Sequence, residues 1–236
     1  MKLRISEQFY SIQGEGYSAG TAAIFLRLQG CNLLCESQHW RCDTIEVWKK
    51  GEAYDCEDIL NAWCAKGWVA ALDAGAHLII TGGEPLLQQD ALLYFLNSLD
   101  QCCNNKCFVE IESNATLLPS DYLQQRVNQW NLSPKLSNAG MPFKKVCMAQ
   151  VLNVFAKLPS SYFKFVVSEY VDVVELKNNY IKPFNLHLDH VYIMPAADSK
   201  QLLYRRLAIC KVWAKAFGIK CCSRLQLQIW DRLTGV

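Results

Sequence analysis

Apolar and polar residues follow two alternating periods along this chain. Short runs rich in β-branched and aromatic residues are separated by longer segments in which apolar residues recur every three or four positions. This alternation favours an α/β fold, with a parallel sheet covered by helices. The pattern predicts strands over 7–12, 22–29, 77–81, 107–111, 162–167, 191–194 and 224–229, and helices over 57–71, 88–99, 143–156, 171–177 and 200–217.

The predicted strand over 22–29 has two different faces. Its even positions 24, 26 and 28 are apolar and should pack against helices, whereas Phe25, Arg27 and Gln29 should face the other side, which is the interior in a barrel. A guanidinium held in such an interior requires a carboxylate or a phosphate. Arg27 is therefore expected to pair either with an acidic residue of this chain or with a bound ligand.

Three cysteines directly follow this strand. Cys31, Cys35 and Cys42 have the spacing C-x3-C-x6-C, in a loop whose other residues are mostly polar and offer a thiol little apolar packing. Thiolates at such spacing can converge on one metal centre, and three ligands leave a coordination position open. The loop predicts an iron-sulfur cluster that can bind a small molecule at its free iron. A structural zinc site and simple burial of the thiols are the alternatives.

Glycines and polar residues follow other predicted strands. Strand 77–81 is followed by Gly82-Gly83-Glu84-Pro85, where two residues without Cβ let a ligand approach the backbone and Glu84 offers a carboxylate. The segments Ser133-Pro134-Lys135 and 110–114 also place polar groups after strand-like runs, and residues 13–16 form a glycine-rich turn. Because parallel strands end at the same edge of a sheet, these groups predict a ligand site there.

The composition narrows the class of protein. The 236 residues can bury one core, so we predict a single domain over 1–236 with its cluster loop at 30–44. A net charge of +2 and 19% charged residues do not suit a nucleic-acid binder, and no apolar run reaches the ~18 residues of a membrane span. The N-terminus has no leader-like apolar segment, so a cytoplasmic location is expected, where the 12 cysteines should not form a disulfide framework.

These motifs together resemble those of the radical S-adenosylmethionine enzymes. More narrowly, the chain resembles the family of 7-carboxy-7-deazaguanine synthases over nearly its whole length, with the motifs in the same order. The matching segments are FYSIQGEG at 9–16, RLQGCNL at 27–33, CDT at 42–44, TGGEP at 81–85, SPK at 133–135 and the tail at 230–236.

The resemblance implies a partial, incomplete parallel β/α barrel of the radical S-adenosylmethionine type, with a 4Fe-4S cluster, S-adenosylmethionine and Mg²⁺ as cofactors. The implied enzyme is a carbon-nitrogen lyase that converts 6-carboxy-5,6,7,8-tetrahydropterin into 7-carboxy-7-deazaguanine with loss of ammonia, a step toward queuosine in tRNA. A 5'-deoxyadenosyl radical abstracts the substrate hydrogen, so no side chain is implied as a catalytic acid or base. The implied partners are the small-molecule pterin, an electron donor such as flavodoxin and a second copy in a homodimer, with no direct nucleic acid and no membrane.

The same resemblance assigns a role to individual residues. The cluster ligands would be Cys31, Cys35 and Cys42, and Thr44 would bind Mg²⁺ through its hydroxyl oxygen. Cofactor-binding roles would fall to Arg41, Asp43, Gly83, Glu84, Ser133, Pro134 and Lys135. Substrate-binding roles would fall to Ile12, Gln13, Gly14, Arg27, Thr81 and the terminal carboxylate of Val236.

The chain departs from the family pattern at two positions. The family usually spaces its last two cysteines as C-x2-C, and counting back from Cys42 puts His39 where the middle ligand would stand. Cys35 is preferred because thiolate suits iron-sulfur clusters. Trp230 stands where some members carry a substrate-contacting histidine. Two alternative functions are a glycyl-radical enzyme activase of the same superfamily, which would have no use for Arg27, and a zinc-binding module without enzymatic activity.

Overall fold

A nine-stranded sheet organises the protein, and the computed structural model describes residues 1–37 and 41–233. The strands are β1 (Lys2–Ile12), β2 (Ala22–Leu28), β3 (Glu52–Asp55), β4 (His77–Gly82), β5 (Val109–Ser113), β6 (Gln129–Leu132), β7 (Ser161–Val167), β8 (Val191–Pro195) and β9 (Lys220–Cys221). Their order in the sheet is β3-β1-β2-β4-β5-β6-β7-β8-β9. From β2 to β9 each neighbouring pair is parallel, whereas β1 is antiparallel to β2 and β3.

Helices connect the parallel strands. They are α1 (Ile45–Trp48), α2 (Cys56–Ala65), α3 (Trp68–Asp73), α4 (Gln89–Cys102), α5 (Asp121–Arg126), α6 (Phe143–Val146), α7 (Ala149–Lys157), α8 (Tyr170–Leu176), α9 (Lys182–Phe184), α10 (Lys200–Phe217) and α11 (Leu225–Trp230). Short 3-10 turns occur at Pro85–Gln88, Ser137–Ala139 and Leu188–His190, and a π-helical turn at Lys177–Ile181 follows α8. No helix in the described ranges has both the length and the apolar character needed to cross a membrane.

The two faces of β2 have the predicted characters. Positions 24, 26 and 28 are fully buried in the main hydrophobic core, in one cluster with helical residues such as Phe95. Phe25 and Arg27 face the other side and line a cavity. Gln29 lies just beyond the end of β2, and its side-chain amide donates to the Lys49 carbonyl at 3.2 Å. The division of this strand into a face in the main core and a face toward the cavity is therefore confirmed within β2.

Residues 224–229 were predicted as a strand, and this prediction is wrong. Apolar residues at 225, 227 and 229 alternate with polar ones, but the segment forms the helix α11, in which only Leu227 is buried. The Leu225 N–H donates to the Gly14 carbonyl at 2.9 Å, so the segment docks on a turn outside the sheet. The last parallel strand is β9 instead. Strands β3, β6 and β9 were not predicted, because each has four residues or fewer and is too short to show a hydrophobic period.

Two of the predicted helices are divided in the structure. The helix predicted over 57–71 consists of α2 and α3, because Gly67 between them has a φ of +73°. The helix predicted over 143–156 consists of α6 and α7. The helix predicted over 200–217 is confirmed as α10.

Candidate cofactor and substrate cavity

A cavity of about 870 Å³ lies at the carboxyl ends of the parallel strands. Thr81 of β4, Ser113 of β5 and Val166 of β7 line it, together with residues that follow β6 and β8. The predicted site residues that line the cavity are Ile12, Gln13, Gly14, Arg27, Cys31, Cys35, Arg41, Cys42, Asp43, Thr44, Thr81, Gly83, Ser133 and Lys135. Among the described site residues, Glu84 and Pro134 lie outside this wall, and Val236 is outside the described residues.

The two cysteines that are far apart in the loop sequence are neighbours in the fold. The Cys42 N–H donates to the Cys35 carbonyl at 3.0 Å, and Glu36 forms an antiparallel bridge with Arg41, so the chain between the cysteines closes on itself. Both cysteines also pack in one cluster with Cys31. The C-x6-C spacing therefore still brings Cys35 and Cys42 together in the fold. His39, the alternative middle ligand, lies outside the described residues.

The three thiols fit an iron-sulfur cluster by their chemistry. All three line the cavity. In the described ranges no three His, Cys, Asp or Glu side chains are close enough together to hold a single metal ion, so the thiols are spaced for a larger group. Burial raises the pKa of the Cys31 thiol to about 11, and burial raises the pKa of Cys35 against the opposing charge of Lys135. Metal ligation requires thiolates, so loading of a cluster must release protons from these residues.

Gly83 fits against the cysteine loop only because it has no side chain. A Cβ at this position would lie 2.1 Å from the Gly30 carbonyl oxygen and 2.6 Å from Cys31 Cβ, so the backbone would have to shift. We expect Gly83→Ala to displace Cys31 and to lower the unfolding free energy of the cluster-free chain by about 1–3 kcal/mol. Iron and sulfide contents after anaerobic reconstitution should fall as well. Urea unfolding and metal analysis measure the two effects, and wild-type values in both would contradict the close packing.

The carboxylate of Glu84 lies behind the cavity wall. It is fully buried and accepts hydrogen bonds from the Leu86 N–H at 3.1 Å, the Asn114 N–H at 2.7 Å and the Ser113 hydroxyl at 2.9 Å. Burial raises the pKa of Glu84 to about 6, in spite of these donors. The carboxylate thus fixes the turn after β4 to the end of β5, and its role in binding the cofactor stays a prediction.

Arg27 has an acidic partner in the chain and also lines the cavity. Its Nε–H donates to Glu7 Oε2 at 2.9 Å, and the two residues are directly opposite each other on β2 and β1. Both side chains are mostly buried, and both line the cavity. The two expectations for Arg27 are therefore compatible, because Glu7 balances the charge while the guanidinium still faces the space where a ligand would bind.

A second carboxylate holds two of the predicted substrate residues. Glu112 of β5 accepts a hydrogen bond from the Thr81 hydroxyl at 2.7 Å and another from the Gln13 side-chain amide at 3.2 Å. Thr81 is paired with Arg27 across the parallel strands β4 and β2. Gln13 Oε1 accepts the Glu15 N–H at 3.2 Å. These polar groups are thus fixed by protein contacts on the side of the cavity next to Arg27.

The charged residues beside the last cysteine have protein partners. Arg41 pairs with Glu36 at 3.0 Å and with Glu46 of α1 at 2.5 Å, and Asp43 pairs with Arg224. Both Arg41 and Asp43 were expected to bind the cofactor. They line the cavity, but their charged groups are directed to side chains of this chain.

Lys135 is held at the cysteine end of the cavity. Its ammonium donates to Ser133 Oγ at 2.8 Å, and its carbonyl accepts the Tyr180 hydroxyl at 2.6 Å. Burial raises the pKa of the Cys31 and Cys35 thiols, and the positive charge of the Lys135 ammonium lowers the pKa of both. A cation next to the thiols favours their deprotonated form, which is the form that binds metal.

Glu15 is the centre of a buried group of charges in the cavity wall. Its carboxylate pairs with Lys164 of β7 and with Arg224 Nε at 2.9 Å, and it accepts the Gln226 amide at 2.6 Å. We call these four residues the Glu15 cluster. Burial alone would raise the pKa of Glu15, but Lys164 and Arg224 together hold the pKa well below its usual value of 4.5. The carboxylate is therefore ionised at neutral pH.

We expect Glu15→Gln to lower the unfolding free energy of the cluster-free protein at pH 7 by about 3–5 kcal/mol, because the substitution leaves buried cations without their partner. The folded-state pKa of Glu15 lies below its unfolded value of 4.5, so the stabilisation is present above that value and is lost as the pH falls below it. The difference between the two proteins should thus be largest at pH 7 and smaller at pH 3.5. Urea unfolding at both pH values measures it, with the exposed Glu57→Gln as control. An equal difference at both pH values would contradict the ionic role.

Several residues of the cavity wall were missed by the sequence analysis. They are Glu7, Asn131, Lys164, Arg224, and Gln226 and Leu227 of α11. A signal for Lys164 did exist, because it alternates with Phe163 and Phe165 in a predicted strand and so belongs to the face opposite the packed one. Arg224 had no such signal, since its segment was interpreted as a strand.

Proteins of known name resemble this chain along its whole length. Residues 12–125 match a family model described as a 4Fe-4S single cluster domain. The chain is 32% identical to 7-carboxy-7-deazaguanine synthase from Pyrobaculum aerophilum, covering 99% of this chain and 97% of the relative. It is 31% identical to the protein of the same name from Hyperthermus butylicus, covering 95% of this chain and 93% of the relative.

Solved structures share the fold. QueE from Escherichia coli superposes with a TM-score of 0.67 at 23% identity, covering 95% of both chains. Native anSMEcpe with bound AdoMet superposes with a TM-score of 0.55 at 15% identity, covering 82% of this chain and 61% of that one. Together with the parallel sheet, these neighbours confirm the predicted partial β/α barrel. The identity to the relatives, extending over nearly the full length of each, shows that the chain belongs to the family of 7-carboxy-7-deazaguanine synthases.

Proposed function

We propose that this protein is a radical S-adenosylmethionine lyase that converts 6-carboxy-5,6,7,8-tetrahydropterin into 7-carboxy-7-deazaguanine with loss of ammonia. One observation carries the proposal: the three cysteines and Arg27 face the same cavity. A cofactor bound at the thiols and a carboxylate bound at Arg27 would therefore be neighbours in an enclosed space. The cavity of about 870 Å³ lies within the range of about 300–1,000 Å³ typical of small-molecule sites.

The cysteine end of the cavity suits a 4Fe-4S cluster with S-adenosylmethionine. When bound, these cofactors supply the radical that removes a hydrogen atom from the substrate. Cys31, Cys35 and Cys42 would hold the cluster, while Gly83 and Glu84 would receive the amino-acid end of S-adenosylmethionine and Ser133 would lie beside the rest of it. The hydroxyl oxygen of Thr44 lies 3.3 Å from Cys42 Sγ and is the type of hard ligand that Mg²⁺ prefers. Arg41, Asp43, Pro134 and Lys135 would surround the rest of the cofactor.

The part of the cavity wall around Arg27 suits the pterin. The Arg27 guanidinium would pair with the substrate carboxylate, and the Thr81 hydroxyl and the Gln13 amide would orient the ring. The remaining proposed contacts are the backbone of Ile12 and Gly14 and the terminal carboxylate of Val236. Leu227 and Trp230 of α11 line the same cavity, so the C-terminal segment would help to exclude water from the bound substrate.

The setting of the reaction forms part of the proposal. The protein would act in the cytoplasm as a homodimer and take electrons from a carrier such as flavodoxin, with no direct contact to nucleic acid. The product would serve queuosine synthesis.

An anaerobic turnover assay tests the proposed function. The reconstituted protein should be incubated with a chemical reductant, S-adenosylmethionine, Mg²⁺ and carboxytetrahydropterin, and the products analysed by mass. We expect 7-carboxy-7-deazaguanine and ammonia in equal amounts. Intact pterin, from a preparation whose iron and sulfide contents show a full cluster, would overturn the proposal.

The two alternatives give different results in this preparation. An activase acts on a protein and has no use for a carboxylate partner, so Arg27→Ala would leave its activity unchanged. A zinc module would contain zinc without inorganic sulfide.

A further inference from the structure

Arg224 connects three separate segments of the cavity wall. Its Nε–H donates to Glu15 at 2.9 Å, one Nη1–H donates to the Ala197 carbonyl at 2.7 Å, and Nη2 pairs with Asp43. The side chain is only 13% exposed, so these contacts are largely removed from water. The guanidinium is suited to such a junction, because its donors lie in one plane and point in fixed directions.

The helix that follows Arg224 forms the C-terminal wall of the cavity. Leu227 and Trp230 of α11 line the cavity. The helix starts on the glycine-rich turn, where the Leu225 N–H donates to the Gly14 carbonyl at 2.9 Å and Gln226 occupies the space next to Gly14. A Cβ on Gly14 would lie 1.9 Å from Gln226 Oε1. The position of this wall therefore depends on contacts within one or two residues of Arg224.

Asp43 links this wall to the cysteine loop. It directly follows Cys42, so any ligand that fixes the Cys42 thiol also restricts the backbone of Asp43. The Asp43 side chain is 57% exposed, in contrast to the buried Glu15. The Asp43 contact of Arg224 is therefore open to competition from water, whereas the Glu15 contact is shielded from it.

We infer that Arg224 is a positioning residue that couples the cysteine loop to the C-terminal wall, so that loading of the cluster orders the wall of the substrate cavity. Ligation of Cys42 fixes Asp43, Asp43 holds the Arg224 guanidinium, and Arg224 holds the start of α11. The inference rests on the proposed function only in taking the three cysteines as cluster ligands. It adds a role for Arg224 and gives the Asp43 side chain a task other than contact with the cofactor.

Amide hydrogen exchange of the C-terminal peptide, residues 222–233, tests the coupling directly. The wild type, Asp43→Asn, Arg224→Gln and the control Arg205→Gln should each be measured without a cluster and after anaerobic reconstitution. Arg205 is exposed on α10, the helix that precedes the C-terminal wall, and it lies outside the cavity. Metal analysis of each sample establishes that the cluster has been loaded.

In the wild type and in Arg205→Gln, loading should slow the exchange of α11 at least about fivefold, the lower end of typical coupling between sites. In cluster-free Asp43→Asn the amides of α11 should exchange at the wild-type rate, but loading of the cluster should not slow them. In Arg224→Gln the amides of α11 should exchange fast both without a cluster and after loading. Arg224→Lys should give the same result, because an ammonium cannot replace the planar set of donors of the guanidinium.

Two results would overturn the inference: an unchanged exchange rate in the loaded wild type, or full slowing in loaded Asp43→Asn. Neither depends on turnover, so the inference and the proposed function can fail separately. If the loaded wild type shows the slowing but leaves the pterin intact, the coupling stands and the proposed reaction does not. If the product forms without any slowing, the reaction stands and the coupling does not.

Discussion

Cys35→Ala should leave the protein without a stable cluster, whereas His39→Ala should retain it. The expected loss of activity for Cys35→Ala is more than about 100-fold, because even residues that only orient a metal ligand contribute ~10–100-fold. Iron and inorganic sulfide per chain after anaerobic reconstitution, together with the visible absorption of the cluster, measure the effect. The physical reason is the hydrogen bond from the Cys42 N–H to the Cys35 carbonyl at 3.0 Å, which already places these two residues side by side.

A matched cysteine controls for unspecific damage. Cys64 is an exposed thiol on α2 and lies outside the cavity, so Cys64→Ala should assemble a full cluster. The assignment of Cys35 would be wrong if His39→Ala lost iron and sulfide while Cys35→Ala kept both. In that case the closed loop between Glu36 and Arg41 would contain the middle ligand.

Arg27→Gln should reduce kcat/KM for carboxytetrahydropterin by about 30- to 1,000-fold. This range corresponds to ~2–4 kcal/mol, the usual cost of removing one partner from a buried, hydrogen-bonded charge pair. The effect should appear mainly in KM, because the lost contact is made to a part of the substrate that does not react. Arg27→Lys should give an intermediate value, since it keeps the charge but loses the bidentate geometry.

A substrate analogue separates recognition from structural damage. Tetrahydropterin without the carboxylate should bind Arg27→Gln and the wild type with similar affinity, as measured by competitive inhibition. The exposed Arg4→Gln on β1 controls for the general loss of a positive charge. An equal loss of affinity for both pterins in Arg27→Gln would show that Arg27 supports the fold through Glu7 and does not recognise the carboxylate.

The sequence predicted those parts of the site that depend on local chemistry. The inward direction of Arg27 followed from the two-residue period of its strand. The place of Gly83 in the cavity wall followed from the glycine pair at the end of β4. The three thiols were predicted as ligands from residue type and spacing, and the fold places all three along one cavity. Each of these inferences needs only a few neighbouring residues, which is why they could be made before the fold was known.

The remaining features depend on contacts between distant segments. Glu15 and Lys164 are 149 positions apart, so no local pattern links them. The six residues of α11 have a strand-like alternation, and only docking on the Gly14 turn makes them helical. The internal partner of Arg27 was anticipated as an acidic residue, but its identity as Glu7 required the register of β1 against β2. Tertiary packing, which has no signature in a short window, decided these cases.

The bridge between Glu36 and Arg41 has a consequence for how such sites are recognised and engineered. The backbone contacts lie immediately inside Cys35 and Cys42, so these two residues are held together whatever the number of residues between Glu36 and Arg41. Insertions or tags placed between Glu36 and Arg41 should be tolerated without disturbing the metal centre, and we expect natural relatives to differ in length there. A motif search that fixes two residues between the last cysteines would overlook every such variant, this chain included.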